Sequence, residues 1–373
     1  MIDNLLPPGF KDEIFDQSSI EHKYKNIIIN IFQSNGYKLV KTPLIEYENS
    51  TNEYNSFLIK EKNEKKNFVI RSDITMQIAR LSMSRLKNKK RPLKLCYYGE
   101  VVRKKGTILR PERQFLQVGA ECIGETSYLA DVEMLYLAYQ ALTAVGIKNI
   151  SIELSSHIFL DYLFKNDENL EKNIKARSFL RKKDFNNSIK FIDSKFHDFT
   201  HSLLFCSGNI VEKIFFLEQL KVNKETTLAV EELLNIYTFF SNNYPKIKFI
   251  LDLTESDYLN YHTGTRFTIF AKNVRGEVAR GGRYTSQNNL LTENSTGFNC
   301  YMDTIIRASS IIEKEKKIII PFDICESKKN ELINDGYIIE TFFGEKNKIK
   351  EIAIIKKFDA YLIEDKIIQL EKK

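Results

Sequence analysis

Apolar residues recur at helical spacing between Glu21 and Phe32, at Tyr24, Ile27, Ile28 and Ile31, and Asn35-Gly36 supplies a stop signal. Alternation from Tyr37 to Thr42 predicts a strand. A second short strand is predicted over Asn67 to Arg71, after the solvated charge run EKNEKK, and an amphipathic helix over Asp73 to Leu86. Leu93 to Val102 and Gln114 to Ile123 are apolar enough for two buried strands, joined by the polar loop RKKGTILRPER. They predict a long β-hairpin with a basic tip. Ser127 to Val145 reads as a helix with Asp131 and Glu133 early and Gly146 at its end, and Ile150 to Leu154 as a strand.

From Phe159 to about Asn243 helical spacing broken by Asn and Lys predicts a helical insertion. Strand signals return at Lys248 to Leu253, Arg266 to Ala271 and Glu277 to Ala279. Gly281-Gly282 then reads as a turn, and Cys300 to Ile312 as an apolar helix. The 64 residues after Ser309 hold three short apolar runs, KKIIIPF, GYIIETFF and AYLIE, separated by charged stretches, which predicts a small α/β unit. The expected organisation is a core over 1–309, with its helical insertion at about 159–245, and a small C-terminal domain over 310–373.

A chain of 373 residues with 43% hydrophobic composition can bury a large core in two or three domains. No apolar run approaches the ~20 residues that span a bilayer. The N-terminus MIDNLLPPGFKDEIF lacks the basic start and apolar stretch of a signal peptide, so a cytoplasmic location is expected. Charge is mixed, 56 basic against 49 acidic residues, and the excess of +7 is too mild for a nucleic-acid signature. The cysteines, Cys96, Cys122, Cys206, Cys300 and Cys325, form no Cys-x-x-Cys pair and read as reduced, mostly buried small hydrophobes.

Four stretches invite a chemical reading. His197 and His201 stand one helical turn apart, a metal-ligand spacing, but with no Glu beside the first and no third ligand they read as packed histidines. The run RLKNKKRPLK, Arg85 to Lys94, holds six basic residues and no aromatic for stacking a base, and reads as a solvated helix end. No metal or cofactor is expected. The stretch LDLTESDYLNYHTGTRF sets Glu255 and Asp257 ahead of Tyr261 and His262 beside a turn, a polar-aromatic cluster suited to a pocket or to a strand end. ARGGRY, Ala279 to Tyr284, brings backbone close to a ligand or simply turns the chain.

In order along the chain, LPPGFKDEIF, RSDITMQIAR, YYGEVVRKKGTILRPERQFLQVGAECIG with LADVE, YLNYHTG, and ARGGRY with GFNCYMDTIIR resemble the catalytic core of class II histidyl-tRNA synthetases over about 300 residues. The resemblance implies an α+β fold, a mostly antiparallel six-stranded sheet flanked by helices, dimerisation through the N-terminal helix region, and a pocket for free histidine. By that likeness Asp73, Thr75, Gln117 and Glu121 stand where the family holds the ligand's ammonium and side-chain end. Arg103 stands where it holds the carboxylate or a phosphate, and Tyr261 and His262 at the ring-binding pair. Asp73 replaces a usual Glu and His262 a usual Tyr.

The same likeness implies lost adenylation chemistry. Asp257 occupies the place of an arginine that faces the reacting groups, Arg103-Lys104-Lys105 replaces Arg-x-Glu, and Thr304 replaces an arginine that lies along ATP. Loss of one transition-state donor costs about 100- to 1000-fold in rate. The 64 C-terminal residues are too few for a full anticodon-binding domain. The pattern is similar to the regulatory subunits of ATP phosphoribosyltransferase, which implies a non-catalytic partner of the short-form catalytic subunit, a dimer within a hetero-oligomer, and L-histidine as effector. The alternatives are a histidyl-tRNA synthetase and an amino-acid or tRNA-sensing module.

Overall fold

The computed structural model describes residues 5–48, 55–61, 66–164, 169–255, 262–287, 292–310 and 316–370. The chain divides into two compact units, Met1–Ser310 and Ile311–Lys373. In the first, helix α1 (Asp16–Ser34) ends where Asn35 N–H reaches Ile31 O and Phe32 O and Gly36 takes φ +88°. Strands β1 (Lys38–Leu39), β2 (Ile45–Tyr47), β3 (Phe57–Ile59) and β4 (Phe68–Ile70) follow, then α2 (Thr75–Met83), the hairpin β5 (Leu93–Val102) and β6 (Gln114–Ile123), α3 (Leu129–Ala144) and β7 (Ile150–Ser156).

The insertion carries α4 (Ile158–Phe164), α5 (Leu170–Arg181), α6 (Phe185–Ser188), α7 (His197–Phe205), strand β8 (Gly208–Asn209), α8 (Ile210–Glu218) and α9 (Lys224–Asn243). A reciprocal cap opens α9: Asn223 Oδ1 accepts from Thr226 N at 2.8 Å and Thr226 Oγ1 from Asn223 N at 3.1 Å. The core closes with β9 (Lys248–Leu251), β10 (His262–Ala271), β11 (Ala279–Gln287), β12 (Thr292–Tyr301) and α10 (Met302–Ala308).

Nine strands form one sheet in the order β1-β5-β6-β12-β11-β10-β7-β9-β8, and β2-β4-β3 form a small second sheet. The six central strands of the large sheet, β5, β6, β12, β11, β10 and β7, are antiparallel throughout; short β1 and β9 add parallel margins and β8 comes from the insertion. Strand alternation sorts the two faces. Val118, Ala120 and Cys122 of β6, Phe298 and Cys300 of β12, and Ile152 and Leu154 of β7 pack with Ile28 and Phe32 of α1 and Leu135 and Ala138 of α3 in one core. Each large aliphatic side chain buried there contributes about 1.5–3 kcal/mol, so this face carries the stability. The opposite face sets polar groups beside a smaller apolar cluster, in which Leu95, Val101, Phe115 and Ile123 pack with Ile74 and Ile78.

Three expectations need correction. Gly281-Gly282 is no turn but lies inside β11, paired with β10 and β12 on both sides. A Cβ at 281 would meet Phe298 Cβ at 2.5 Å and the Phe267 ring at 2.7 Å, so the first glycine lets the three strands close over those rings. The helix expected from Cys300 begins only at Met302; residues 292–301 are a central strand, hydrogen-bonded on both edges. The sheet also has nine strands where six were expected, the three extra being short margins.

The second unit is a four-stranded sheet, order β14-β13-β15-β16, from β13 (Lys316–Pro321), β14 (Tyr337–Phe342), β15 (Ala360–Ile363) and β16 (Lys366–Gln369), with helices α11 (Glu326–Asn334) and α12 (Ile349–Ile355). Its buried Ile318, Ile320 and Leu332 face one helix layer and Ile319, Ile349 and Ala353 the other. Among the described residues no helix is long and apolar enough to cross a membrane.

Candidate functional site

The face turned away from α1 and α3 is built by register. Glu121 pairs with Gly297, which pairs with Gly282 and on to Arg266; Gly119 pairs with Asn299, then Arg280, Thr268 and Glu153; Gln117 pairs with Tyr301. Directly paired residues share a face, so these rows form one floor. Helix α2 and the turn before it supply the wall. Asp73 Oδ1 accepts from Thr75 N at 2.8 Å, which opens the helix, and Asp73 Oδ2 accepts from Gln117 Nε2 at 2.8 Å. Gln117 Oε1 in turn accepts from Ile74 N at 3.0 Å, so Gln117 binds the wall at both ends of its amide.

Glu121 is fully buried. Tyr97 OH lies 2.8 Å from Glu121 Oε1 and Tyr284 OH donates to Oε2 at 3.0 Å. Tyr97 OH is also 2.8 Å from Asn299 Oδ1 and 3.2 Å from Thr75 Oγ1, while Asn299 Nδ2 donates to Thr75 at 2.9 Å. One phenolic proton cannot serve both Glu121 and Asn299. Both oxygens compete for that proton, and a neutral Glu121 brings a second one to the cluster. Burial raises the Glu121 carboxyl to about 8; the hydroxyl contacts oppose the rise and the charge of Asp73 adds to it. Space for this network comes from glycine, since a side chain at Gly297 would collide with the Glu121 carboxylate and one at Gly119 would lie 2.6 Å from Tyr97 OH.

The unfolded chain ionises such a carboxyl near its ordinary 4.5, whereas the fold keeps the proton to about 8. The folded state thus holds more protons between those values, and stability contributed by Glu121 is full below about 4.5 and falls as pH rises to 8. The slope approaches one proton, about 1.4 kcal/mol per pH unit. Denaturant unfolding between pH 5 and 8 is expected to show a flatter profile for Glu121→Gln than for the unsubstituted chain; equal slopes would contradict the protonated carboxyl.

A second ionic group lies on the same floor. Glu255 accepts from buried Arg266 and lies 3.5 Å from Arg280 Nη2. Burial first, then the charges of Glu255 and Asp252, lift Glu153 to about 7. Burial also opposes the charge of Asp252, but Lys183 Nζ at 2.6 Å outweighs it and holds the carboxylate below its ordinary range. The negative charge of the 251–267 stretch is therefore balanced at Glu255 and Asp252 by neighbouring cations.

The structure gathers Asp73, Thr75, Gln117 and Glu121 into one hydrogen-bonded group. His262 opens β10 opposite Tyr284, its Nδ1 3.3 Å from Arg283 O. The Arg103 guanidinium stands 4.9 Å from the Phe115 ring centroid and 5.8 Å from that of Tyr301, beyond Gln117. Tyr261 and Asp257 lie outside the described residues. Sequence reading passed over Tyr97, Tyr284 and Asn299; two-residue alternation in YYGEV and GFNCY was the available signal. Elsewhere, His197 Nε2 contacts Ile192 O at 3.2 Å and the His201 ring stacks on Phe205 at 4.3 Å, while in the basic run Arg91 pairs with Glu293 and Lys94 with Glu133.

The sequence profile of the family described as Histidyl-tRNA synthetase matches residues 9–305. An ATP phosphoribosyltransferase regulatory subunit of Rhodospirillum centenum is 30% identical over 341 residues, covering 89% of this chain and 88% of the relative. Among solved structures, an ATP phosphoribosyltransferase regulatory subunit/histidyl-tRNA synthetase from Bacillus halodurans shares the fold with a TM-score of 0.76 at 20% identity, over 95% of this chain and 97% of that one. The ATP phosphoribosyl transferase (HisG:HisZ) complex from Thermotoga maritima contains a chain similar at TM-score 0.60 and 18% identity, over 78% of this chain and 98% of that one. On the strength of the profile and of this 30% identity, the chain belongs to the histidyl-tRNA synthetase-like family of ATP phosphoribosyltransferase regulatory subunits.

Proposed function

We propose that this chain is the regulatory subunit of a cytoplasmic ATP phosphoribosyltransferase, binds free L-histidine on the polar sheet face, and carries no catalytic group of its own. The observation that carries the reading is the Asp73–Gln117 and Thr75–Tyr97–Glu121–Asn299 network on the floor. Asp73 supplies negative charge for an ammonium group, and Glu121 with Tyr284 and His262 supplies acceptors and donors for an imidazole. Arg103 supplies the cation for a carboxylate. Among the positions that the likeness sets against ATP, Lys104 and Lys105 are exposed and Thr304 is fully buried, donating to Asp303 Oδ2 at 3.3 Å.

The partner in this proposal is the short-form catalytic subunit, which joins ATP to phosphoribosyl pyrophosphate, releases pyrophosphate and so opens histidine biosynthesis. The regulatory chain forms a dimer within the hetero-oligomer, and histidine shifts the complex toward the inactive arrangement by binding it more tightly than the active one. The test is phosphoribosyl-ATP formation by the catalytic subunit with and without this chain. Activity is expected only in the mixture and to fall with added histidine. Asp73→Ala is expected to keep the activation and lose the histidine response. Full, histidine-sensitive activity without this chain would sink the proposal.

A further inference from the structure

The hairpin loop between β5 and β6 sends one side chain back into the protein. Thr107 N–H donates to Arg110 O at 2.7 Å and Arg110 N–H to Thr107 Oγ1 at 3.0 Å, closing a turn that leaves Ile108 in solvent and turns Arg110 inward. Arg110 is 2% exposed. Its guanidinium lies 3.7 Å from the Tyr301 ring centroid and 5.3 Å from that of Phe115, and the two rings meet edge to face at 5.9 Å. It is anchored by Glu277, at 2.9 Å to the carbonyl and 3.2 Å to the carboxylate, and by Asp303 at 3.5 Å.

Tyr301 stands beside Gln117 in the register, so this stack closes the floor just past the residue that holds Asp73. From Gln117 to Glu121 the strand spans about 13 Å. Beyond Gln117 the faces of Phe115 and Tyr301, the aromatic surfaces a purine would stack on, are covered by Arg110 and Arg103.

We propose that Arg110, stacked on Tyr301, is a specificity plug that limits the pocket to a free amino acid and excludes any ligand carrying a nucleoside beyond its carboxyl group. The plug rests on the histidine-pocket reading for its first half only; exclusion of the nucleoside is a property of the Arg110–Tyr301–Phe115 stack itself. Arg110 Nε and Nη1 make no hydrogen bond among the described residues, so the Asp303 charge and the Tyr301 ring hold that side of the guanidinium.

The experiment is calorimetric titration of the full chain with three probes: L-histidine, a sulfamoyl analogue of histidyl-adenylate, and ATP alone. The unsubstituted chain is expected to take histidine, to bind the analogue at least about 100-fold more weakly, and to show no ATP binding. Arg110→Ala is expected to change histidine affinity less than about threefold and to narrow the discrimination about tenfold or more. Arg110→Lys, which keeps a charge for Asp303 but loses the planar stack, is expected to fall between and serves should the alanine variant not fold. Analogue or ATP binding by the unsubstituted chain as tight as histidine binding would overturn the plug, as would an unchanged ratio in both folded variants. If histidine fails to bind while ATP is excluded until Arg110 is replaced, the plug stands and the histidine reading falls.

Discussion

Arg283→Met is expected to lower stability by about 3–5 kcal/mol, read from denaturant unfolding. Arg283 belongs to the ARGGRY stretch but faces the helix side of the sheet. Its Nε and Nη2 meet Asp131 Oδ2 at 3.0 and 2.8 Å, Nη1 donates to Glu125 O at 2.8 Å, and Nη2 also donates to Ser127 O at 2.7 Å. One guanidinium thus ties the first turn of α3 and the segment before it to β11. Burial already pushes the Asp131 carboxyl up against the pull of Arg283, and removing the cation leaves an uncompensated buried acid with two bare carbonyls. The double variant Arg283→Met with Asp131→Leu is expected to recover a large part of the loss, since it removes the isolated charge. An unchanged unfolding midpoint in Arg283→Met would show that the ion pair is not what fastens α3.

Gly297→Ala is expected to weaken ligand recognition at the floor. The added methyl occupies the position of the Glu121 carboxylate, which has no room to retreat between Tyr97 and Tyr284. Overpacking of this kind costs about 1–3 kcal/mol in stability. Displacing the carboxylate also breaks two hydrogen bonds; if histidine uses that group, affinity falls about 100-fold, the equivalent of about 3 kcal/mol. Titration calorimetry on the folded variant measures it directly. Undiminished affinity would remove Glu121 from the binding site while leaving the sheet geometry intact.

Much of the fold was readable where burial was continuous. Leu93–Val102 and Gln114–Ile123 are strands over the residues expected, because apolar side chains fill most of both runs. Strand β12 was misread because its two faces meet different surroundings: Phe298 and Cys300 enter the core, whereas Gly297 and Asn299 face the polar floor. The GFNCY alternation was present, but the apolar residues that follow in α10 drew the assignment toward a helix. Gly281-Gly282 was misread for a related reason, since glycine inside a strand marks close approach by other chain segments, and those lie far along the sequence. At the site, Asp73, Thr75, Gln117 and Glu121 were named from resemblance and the structure draws them together. Tyr97 and Asn299 were not, because their relation to Thr75 and Glu121 exists only through the pairing of β5, β6 and β12.

That pairing also sets the order in which the chain can assemble. The hairpin β5–β6 is local, but the other edge of β6 is filled by β12, with Ile123 opposite Ser295. At synthesis rates of 5–20 residues per second, the emerging chain waits roughly 10–30 s between making the two. During that interval β6 presents open backbone beside unburied core residues, and its last neighbour arrives only after the insertion and β7 to β11 have been made. Such long-range closure is slow and exposes an edge to other chains. The vulnerable species in this protein is therefore the nascent N-terminal half, and truncation before Thr292 leaves a hairpin whose natural partner never comes.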